Sequence, residues 1–201
     1  MVYPTNSLVE DQVSRLRRSF LASTDEVAPA FYFGRYTSHT EGGGNLPTTI
    51  DDRKAREVAD EITSIERNLR LVMGTQPDLR SEFQDVDSGE MLTRWDMISH
   101  PPDLLITNYS MLNVMLMREL EENMFEATRQ WLDSDPDACF TLVVDELHTY
   151  RGTKGSEIAM TIRNLQQRLG LGSDSPKLRI IATTASLDQD SNQALPYLEQ
   201  F

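Results

Sequence analysis

Two adjacent carboxylates, Asp145 and Glu146, follow a run of strand-forming residues that extends from Phe140 to Val144. Such an unbroken run is typical of a strand that is buried on both faces of a parallel sheet. Ligands bind beyond the carboxyl ends of these strands, so both acids are predicted to lie where a ligand would. One carboxylate could hold the Mg²⁺ of a nucleoside triphosphate, and the other could orient or deprotonate a water molecule. The alternative interpretation is a solvated acidic turn after a core strand.

Three other segments carry the pattern of a strand that ends in polar residues: 2–5, 102–108 and 179–187. Helical patterns separate them. Alternating strands and helices predict an α/β fold with a doubly wound, mostly parallel sheet. The polar residues at these strand ends are Thr5, Thr107, Asn108, Thr184 and Ser186.

Helix and strand signals fill the intervals. Ser7 and Glu10 have the spacing of a capping box, which predicts a helix from residue 7 to about Leu21. Apolar residues at steps of three and four predict a second, long helix that begins near Asp51. A short strand is predicted over 29–33.

Two stretches are less regular. Gly42, Gly43 and Gly44 have no lysine directly after them, so a flexible loop is favoured over a phosphate-binding loop. The apolar pattern weakens from residue 74 to residue 102, which predicts an insertion in the domain. Trp95, inside this stretch, could stack on a base, but packing explains it more readily.

Composition excludes several classes of protein. Lys and Arg total 19 against 32 Asp and Glu, and the net charge of −13 argues against broad, sequence-independent binding of phosphates. One cysteine excludes an internal disulfide, and with three histidines it does not make a standard structural zinc site. The chain has no apolar run of about 18 residues and no signal pattern, so no membrane span is predicted. A cytoplasmic location is expected.

The order and spacing of the segments resemble the first RecA-like motor domain of superfamily 2 helicases, in the DEAD/DEAH-box-like group. The matching segments are Pro4 to Gln12 (motif Ia), Thr107-Asn108 (motif Ib), Asp145-Glu-Leu-His148 (motif II, the Walker B box) and Thr184-Ala-Ser186 (motif III, with its hydroxyl residues changed). The extension of motif II to Gly152 is similar to the large-helicase-related subgroup of bacterial and archaeal DNA helicases. The resemblance covers nearly all of the 201 residues.

The resemblance implies an ATP-dependent DNA helicase or translocase, with ATP and Mg²⁺ as cofactors and nucleic acid, DNA in this subgroup, as partner. Asp145 would hold the metal, and Glu146 would activate the attacking water. His148 would couple nucleotide state to nucleic-acid grip through Thr184, Ser186 or a second motor domain, although the two hydroxyls could equally cap a turn. The residues implied to contact a nucleic-acid backbone are Thr5, Thr107, Asn108 and Arg35, with a surface salt bridge as the stronger expectation for Arg35.

One motif of the family is missing from the 201 residues. No Gly-x-x-x-x-Gly-Lys-Ser/Thr loop occurs, although its amides and lysine hold the β- and γ-phosphates. We therefore expect residues 1–201 to be part of a first RecA-like domain of P-loop NTPase type, with the loop and the second RecA-like domain elsewhere in a longer chain. The competing interpretation is a short protein that lost the loop, a non-catalytic remnant or scaffold without ATP turnover. A nuclease is a distant third hypothesis, because no third metal-binding acid is evident.

Overall fold

The computed structural model describes residues 1–23, 31–49, 52–150 and 153–184. In these ranges six strands form one sheet in which every pairing is parallel. The strands are β1 (Val2–Tyr3), β2 (Phe33–Tyr36), β3 (Glu90–Met91), β4 (Leu104–Asn108), β5 (Phe140–Val144) and β6 (Leu178–Ala182). They lie in the order β3-β2-β4-β1-β5-β6. The predicted α/β fold with a parallel sheet is therefore confirmed.

Helices connect the strands, as parallel neighbours require. Within the described ranges the α-helices are α1 (Asn6–Ser23), α2 (Arg53–Thr75), α3 (Arg94–Ser99), α4 (Tyr109–Met117), α5 (Glu122–Ser134) and α6 (Thr153–Arg168). Two short 3-10 helices cover Pro77–Glu82 and Leu147–Thr149. None of the helices in this part of the chain is long and apolar enough to cross a membrane.

The sheet carries a hydrophobic core on each face. Val2 and Tyr3 are neighbours in β1 but belong to different cores, because successive side chains of a strand point to opposite faces. The smaller core packs against α1, which contributes Val13. The larger core packs against α4 and α6, which contribute Leu112 and Ile162. Cover on both faces is the doubly wound arrangement that the sequence predicts.

The position of β2 differs from the prediction. The sequence pattern favours a strand over 29–33, whereas β2 begins at Phe33 and continues through Arg35 to Tyr36; residues 29 and 30 lie outside the described ranges. The extent of β2 is set by its pairing with β4, in which Phe33 lies opposite Leu104. A partner so distant in sequence leaves no trace in a local pattern.

The cap of α1 also differs from the prediction. The helix begins at Asn6, and the hydroxyl of Thr5 accepts a hydrogen bond from the backbone N–H of Leu8 at 3.4 Å. This bond satisfies one of the N–H groups that a helix leaves without a partner in its first turn. The predicted capping residue, Ser7, therefore lies inside the helix. In α2 the predicted start is confirmed, since the Asp52 carboxylate accepts from the N–H of Lys54.

The predicted insertion, 74–102, supplies the edge strand β3 and the helix α3. Glu90 of β3 forms a bidentate ion pair with Arg17 of α1, with both N–O distances at 2.7 Å. Their side chains are 1% and 7% exposed, so the pair ties α1 to the sheet edge inside the protein. Trp95 of α3 is buried and donates a hydrogen bond from Nε1 to the carbonyl of Gly44. The packing interpretation of Trp95 is confirmed.

Candidate active site

The acidic pair lies at the carboxyl edge of the sheet, directly after β5. Its backbone is held by the two neighbouring strands. The N–H of Asp145 donates to the carbonyl of Val2 at 3.0 Å, and the N–H of Leu147 donates to the carbonyl of Thr183 at 2.9 Å. The turn after β5 is therefore fixed relative to both β1 and β6.

Glu146 adopts the left-handed backbone conformation. Its φ of 54° is the only positive φ outside glycine among the described residues. This conformation costs a non-glycine residue about 1–2 kcal/mol. The Glu146 carbonyl accepts hydrogen bonds from the N–H and the hydroxyl of Thr149, at 2.9 and 2.8 Å, which help to hold the turn. Backbone strain that the surroundings maintain is often found at functional sites.

The carboxylates of the pair have different partners. The Thr183 hydroxyl donates to Oδ1 of Asp145, which fixes the orientation of that carboxylate. Oε2 of Glu146 lies 3.0 Å from Nδ1 of His148. The same Nδ1 lies 3.2 Å from the hydroxyl of Thr184. One ring nitrogen therefore lies within hydrogen-bond distance of two oxygens, one in the turn after β5 and one beyond the end of β6.

Four of the residues predicted from the sequence thus come together at one edge: Asp145, Glu146, His148 and Thr184. Ser186 lies outside the described residues. The roles assigned to these side chains remain predictions. Thr183, the partner of Asp145, was missed, although the pair of threonines at the end of the strand pattern was a visible signal.

Two buried tyrosines lie close enough to Asp145 to feel its charge. Burial raises the pKa of Tyr3 to about 12, and the negative charge of Asp145 adds to the rise. Burial also raises the pKa of Tyr150, again with a contribution from Asp145. The ring of Tyr150 packs near that of Tyr109, at 6.3 Å between centroids. Both phenols are therefore neutral at physiological pH, one in each of the two cores.

The metal-binding side chains at this edge suit a Mg²⁺ ion that is shared with a bound nucleotide better than one that the protein holds alone. The described residues contain no group of three His, Cys, Asp or Glu side chains that could hold a metal ion. Mg²⁺, however, keeps several waters and is commonly held by one or two carboxylates together with substrate phosphates. Asp145, with its orientation fixed by Thr183, fits that role. The residues are therefore suited to Mg²⁺ that arrives with a nucleotide.

Two of the residues predicted to bind nucleic acid differ in accessibility. Thr5 is exposed at the end of β1. Thr107, at the corresponding end of β4, is 2% exposed, and its hydroxyl donates to the carbonyl of Tyr36 at 2.6 Å. In this arrangement the Thr107 hydroxyl is used inside the fold, so Thr5 is the better placed of the two to meet a ligand.

The other two, Asn108 and Arg35, also make contacts within the chain. The side chain of Asn108 caps α4 by accepting from the N–H of Met111 at 2.7 Å. Arg35 forms an ion pair with Glu10, and its side chain is 14% exposed. The salt bridge expected for Arg35 is therefore present, between a mostly buried arginine and a Glu10 side chain that is 42% exposed.

No family model matches the chain. Over an alignment of 232 residues the chain is 34% identical to the Druantia protein DruE of Escherichia coli (strain UMEA 4076-1). The alignment covers 93% of this chain but only 12% of that protein. The crystal structure of the DUF1998 helicase MrfA aligns with 98% of this chain and 21% of its own, at 18% identity and a TM-score of 0.46. These values are too low to support a conclusion about function. Over 93% of its length the chain is therefore similar to a small part of a much longer Druantia protein.

Proposed function

We propose that residues 1–201 form part of an ATP-dependent DNA helicase or translocase and carry the hydrolytic side of its ATP site. One observation carries the proposal. Asp145 and Glu146 follow an interior strand at the carboxyl edge of a parallel sheet, and Nδ1 of His148 lies within hydrogen-bond distance of both Glu146 and Thr184, just beyond the neighbouring strand β6. The four-segment resemblance to superfamily 2 helicases supports the reaction class.

In this proposal each acid has a separate task. The Asp145 carboxylate, oriented by Thr183, holds the Mg²⁺ that accompanies the nucleotide. Bound Mg-ATP would supply the γ-phosphoryl group that water attacks, with ADP as the leaving group, and its Mg²⁺ would neutralise the developing charge. Glu146 orients a water molecule and accepts its proton at the carboxylate. The hydrogen bonds from the N–H and the hydroxyl of Thr149 to the Glu146 carbonyl keep the turn in place for this role.

His148 is proposed as a positioning residue that links hydrolysis to the grip on nucleic acid. Its Nδ1 lies within hydrogen-bond reach of both Glu146 and Thr184. A second RecA-like domain of the same full-length protein would act on the end of β6, and the altered Thr184 contact would change the position of Glu146. The opposite half of the edge, where β1 and β4 end, would meet the nucleic acid.

Strand displacement by the complete gene product tests this function. We expect a duplex with a single-stranded overhang to be separated only when Mg-ATP is present. Asp145→Asn should abolish displacement and leave duplex binding intact. Asp137→Asn, which removes an equal charge from the exposed loop before β5, is the matched control and should retain activity.

The alternative, a scaffold without turnover, predicts a different result. A gene product that binds DNA but neither hydrolyses ATP nor separates strands would overturn the motor proposal. Equal activity in the Asp145→Asn and Asp137→Asn variants would remove Asp145 from the site.

A further inference from the structure

We propose that the loop Gly42–Gly44, together with Lys54 and Arg94, binds a phosphate group of a nucleic-acid backbone. This inference rests on the proposed function, because it adds a contact to the nucleic-acid side of the same sheet edge. The loop follows β2, and no resemblance stated above assigns it a role.

The glycine loop has a fixed shape in the structure. Gly42 and Gly44 have φ values of +77° and +88°, which side chains rarely adopt. The indole of Trp95 packs so closely on Gly42 that a Cβ there would lie 2.9 Å from the ring, and its Nε1 donates to the Gly44 carbonyl at 3.1 Å. The N–H of Arg94 also donates to the carbonyl of Glu41 at 2.8 Å. The sequence favours a flexible loop, whereas the structure packs the loop against α3.

Two cations converge on this loop because the glycines have no side chains. A Cβ on Gly43 would collide with Nη2 of Arg94. A Cβ on Gly44 would lie 3.2 Å from Nζ of Lys54. An ammonium and a guanidinium beside the half-buried backbone of Gly43 and Gly44 provide the donors that a phosphate group needs.

Neither cation has an acidic partner among the residues that the structure describes. Neither Lys54 nor Arg94 forms an ion pair with a carboxylate in the ranges that the structure describes. Nε of Arg94 is buried and has no hydrogen-bond partner. An unpaired, partly buried guanidinium is costly, and an anion on the loop would offset that cost.

The arginines of α1 and β2, by contrast, already have acidic partners. Four arginines lie along α1 and β2, and each one is already paired with a carboxylate. The pairs are Arg15–Asp11, Arg17–Glu90, Arg18–Glu82 and Arg35–Glu10. In a chain with a net charge of −13, unpaired cations beside glycine backbone are therefore a more selective signal than arginine content.

The position of the loop relative to β5 indicates that the phosphate would belong to a nucleic acid rather than to the nucleotide. The loop follows β2, which is separated from β5 by β4 and β1. At a spacing of about 4.8 Å between strands, this puts the end of β2 roughly 14 Å from the end of β5. A phosphate at the loop is thus separate from the nucleotide phosphates that would share Mg²⁺ with Asp145. A nucleic-acid strand that runs along the carboxyl edge past Thr5 would bring a backbone phosphate to the loop.

Trp95 provides a direct measurement. Trp131→Phe leaves Trp95 as the single tryptophan of the 201-residue chain, and its indole contacts the loop. In this background the emission of Trp95 is titrated at low ionic strength with a short oligothymidylate, with inorganic phosphate and with Mg-ATP. We expect saturable binding, tightest for the oligothymidylate.

Three variants are compared in that titration. Lys54→Gln and Arg94→Gln should each weaken oligothymidylate binding about tenfold, the effect of one hydrogen bond to a charged group. Each should also reduce the slope of log affinity against log salt by about one. Gly43→Ala should weaken binding similarly, because its methyl group displaces the Arg94 guanidinium. Arg163→Gln, which removes an exposed arginine from α6, is the control and should change affinity less than twofold.

Several results would overturn the inference. These are no saturable change in Trp95 emission, an equal loss with Arg163→Gln, or tighter binding of Mg-ATP than of the oligothymidylate. Phosphate binding without stronger oligothymidylate binding would indicate an adventitious ion only. The titration does not depend on Glu146. A complete gene product without ATP turnover would therefore remove the proposed function and leave this result standing.

Discussion

Glu146 combines a side chain needed for the proposed reaction with a backbone conformation that glutamate disfavours. Its φ of 54° lies in the region that asparagine enters more easily than longer side chains. We expect Glu146→Asn to have a free energy of unfolding about 0.5–1 kcal/mol higher than Glu146→Gln, because both lose the charge but only the first relieves strain. Urea denaturation of the two variants measures the difference. Equal stabilities would show that the turn is not strained.

Thr107 is expected to act through stability rather than through direct contact with nucleic acid. Its buried hydroxyl donates to the Tyr36 carbonyl at 2.6 Å. Thr107→Val keeps the shape and removes the donor, so the free energy of unfolding should fall by about 1–3 kcal/mol as the carbonyl loses its partner. Urea denaturation measures this loss. Unchanged stability with weaker oligonucleotide binding would instead support the backbone contact that the motif resemblance implies.

For individual residues, the sequence predicts the position of the two acids well but does not predict which side chains contact them. Asp145 and Glu146 are recognisable because they directly follow a buried-strand pattern. The contacts of Thr183 and Thr184 depend on which side of β6 each residue faces, and a strand end with two adjacent threonines allows either choice. The Gly42–Gly44 loop gives no local signal, because its cations come from two later helices.

Among the elements, the buried ion pair between α1 and β3 is the contact most sensitive to mutation. Arg17→Met leaves Glu90 buried without a partner, which should lower the free energy of unfolding by about 3–5 kcal/mol. The double change Arg17→Met with Glu90→Met should recover most of this loss. Arg15→Met breaks an exposed pair and should cost about 0–1 kcal/mol. Denaturant titration of the three variants tests this order, and similar losses for Arg15→Met and Arg17→Met would contradict it.

Helices and strands were predicted correctly where the apolar residues follow a regular pattern. The prediction failed where the ends of a strand depend on pairing with a partner distant in sequence. The regular stripe of α2 and the apolar runs of β4 and β5 gave those elements their correct type. The ends of β2 follow from its register with β4, which a local pattern does not contain. The two-residue strand β3 exists only through its pairing with β2. Residues 74–102 therefore read as irregular although they complete one edge of the sheet.

For the molecule as a whole, the sheet edge formed by β6, opposite to the β3 edge, exposes apolar side chains. Ile180 and Ile181 of β6 point to opposite faces and are 48% and 43% exposed. An apolar edge strand of this kind promotes pairing with other chains. We expect the 201-residue chain alone to self-associate and Ile181→Lys to suppress this. Met160→Lys, at an exposed position of α6, is the control and should not. Sedimentation velocity measures the association, and a chain that is monomeric at high concentration would contradict this view of β6.

The central claim is that Glu146 activates the water that attacks ATP, and steady-state hydrolysis with saturating DNA tests it most directly. In the complete gene product we expect Glu146→Gln to reduce turnover at least about a hundredfold, as the loss of a positioned general base does. Nucleotide affinity should stay unchanged, because the amide keeps the size of the side chain. The control variant Glu126→Gln, which changes a half-exposed glutamate of α5, should hydrolyse ATP at the normal rate. Near-normal turnover by Glu146→Gln would contradict the account.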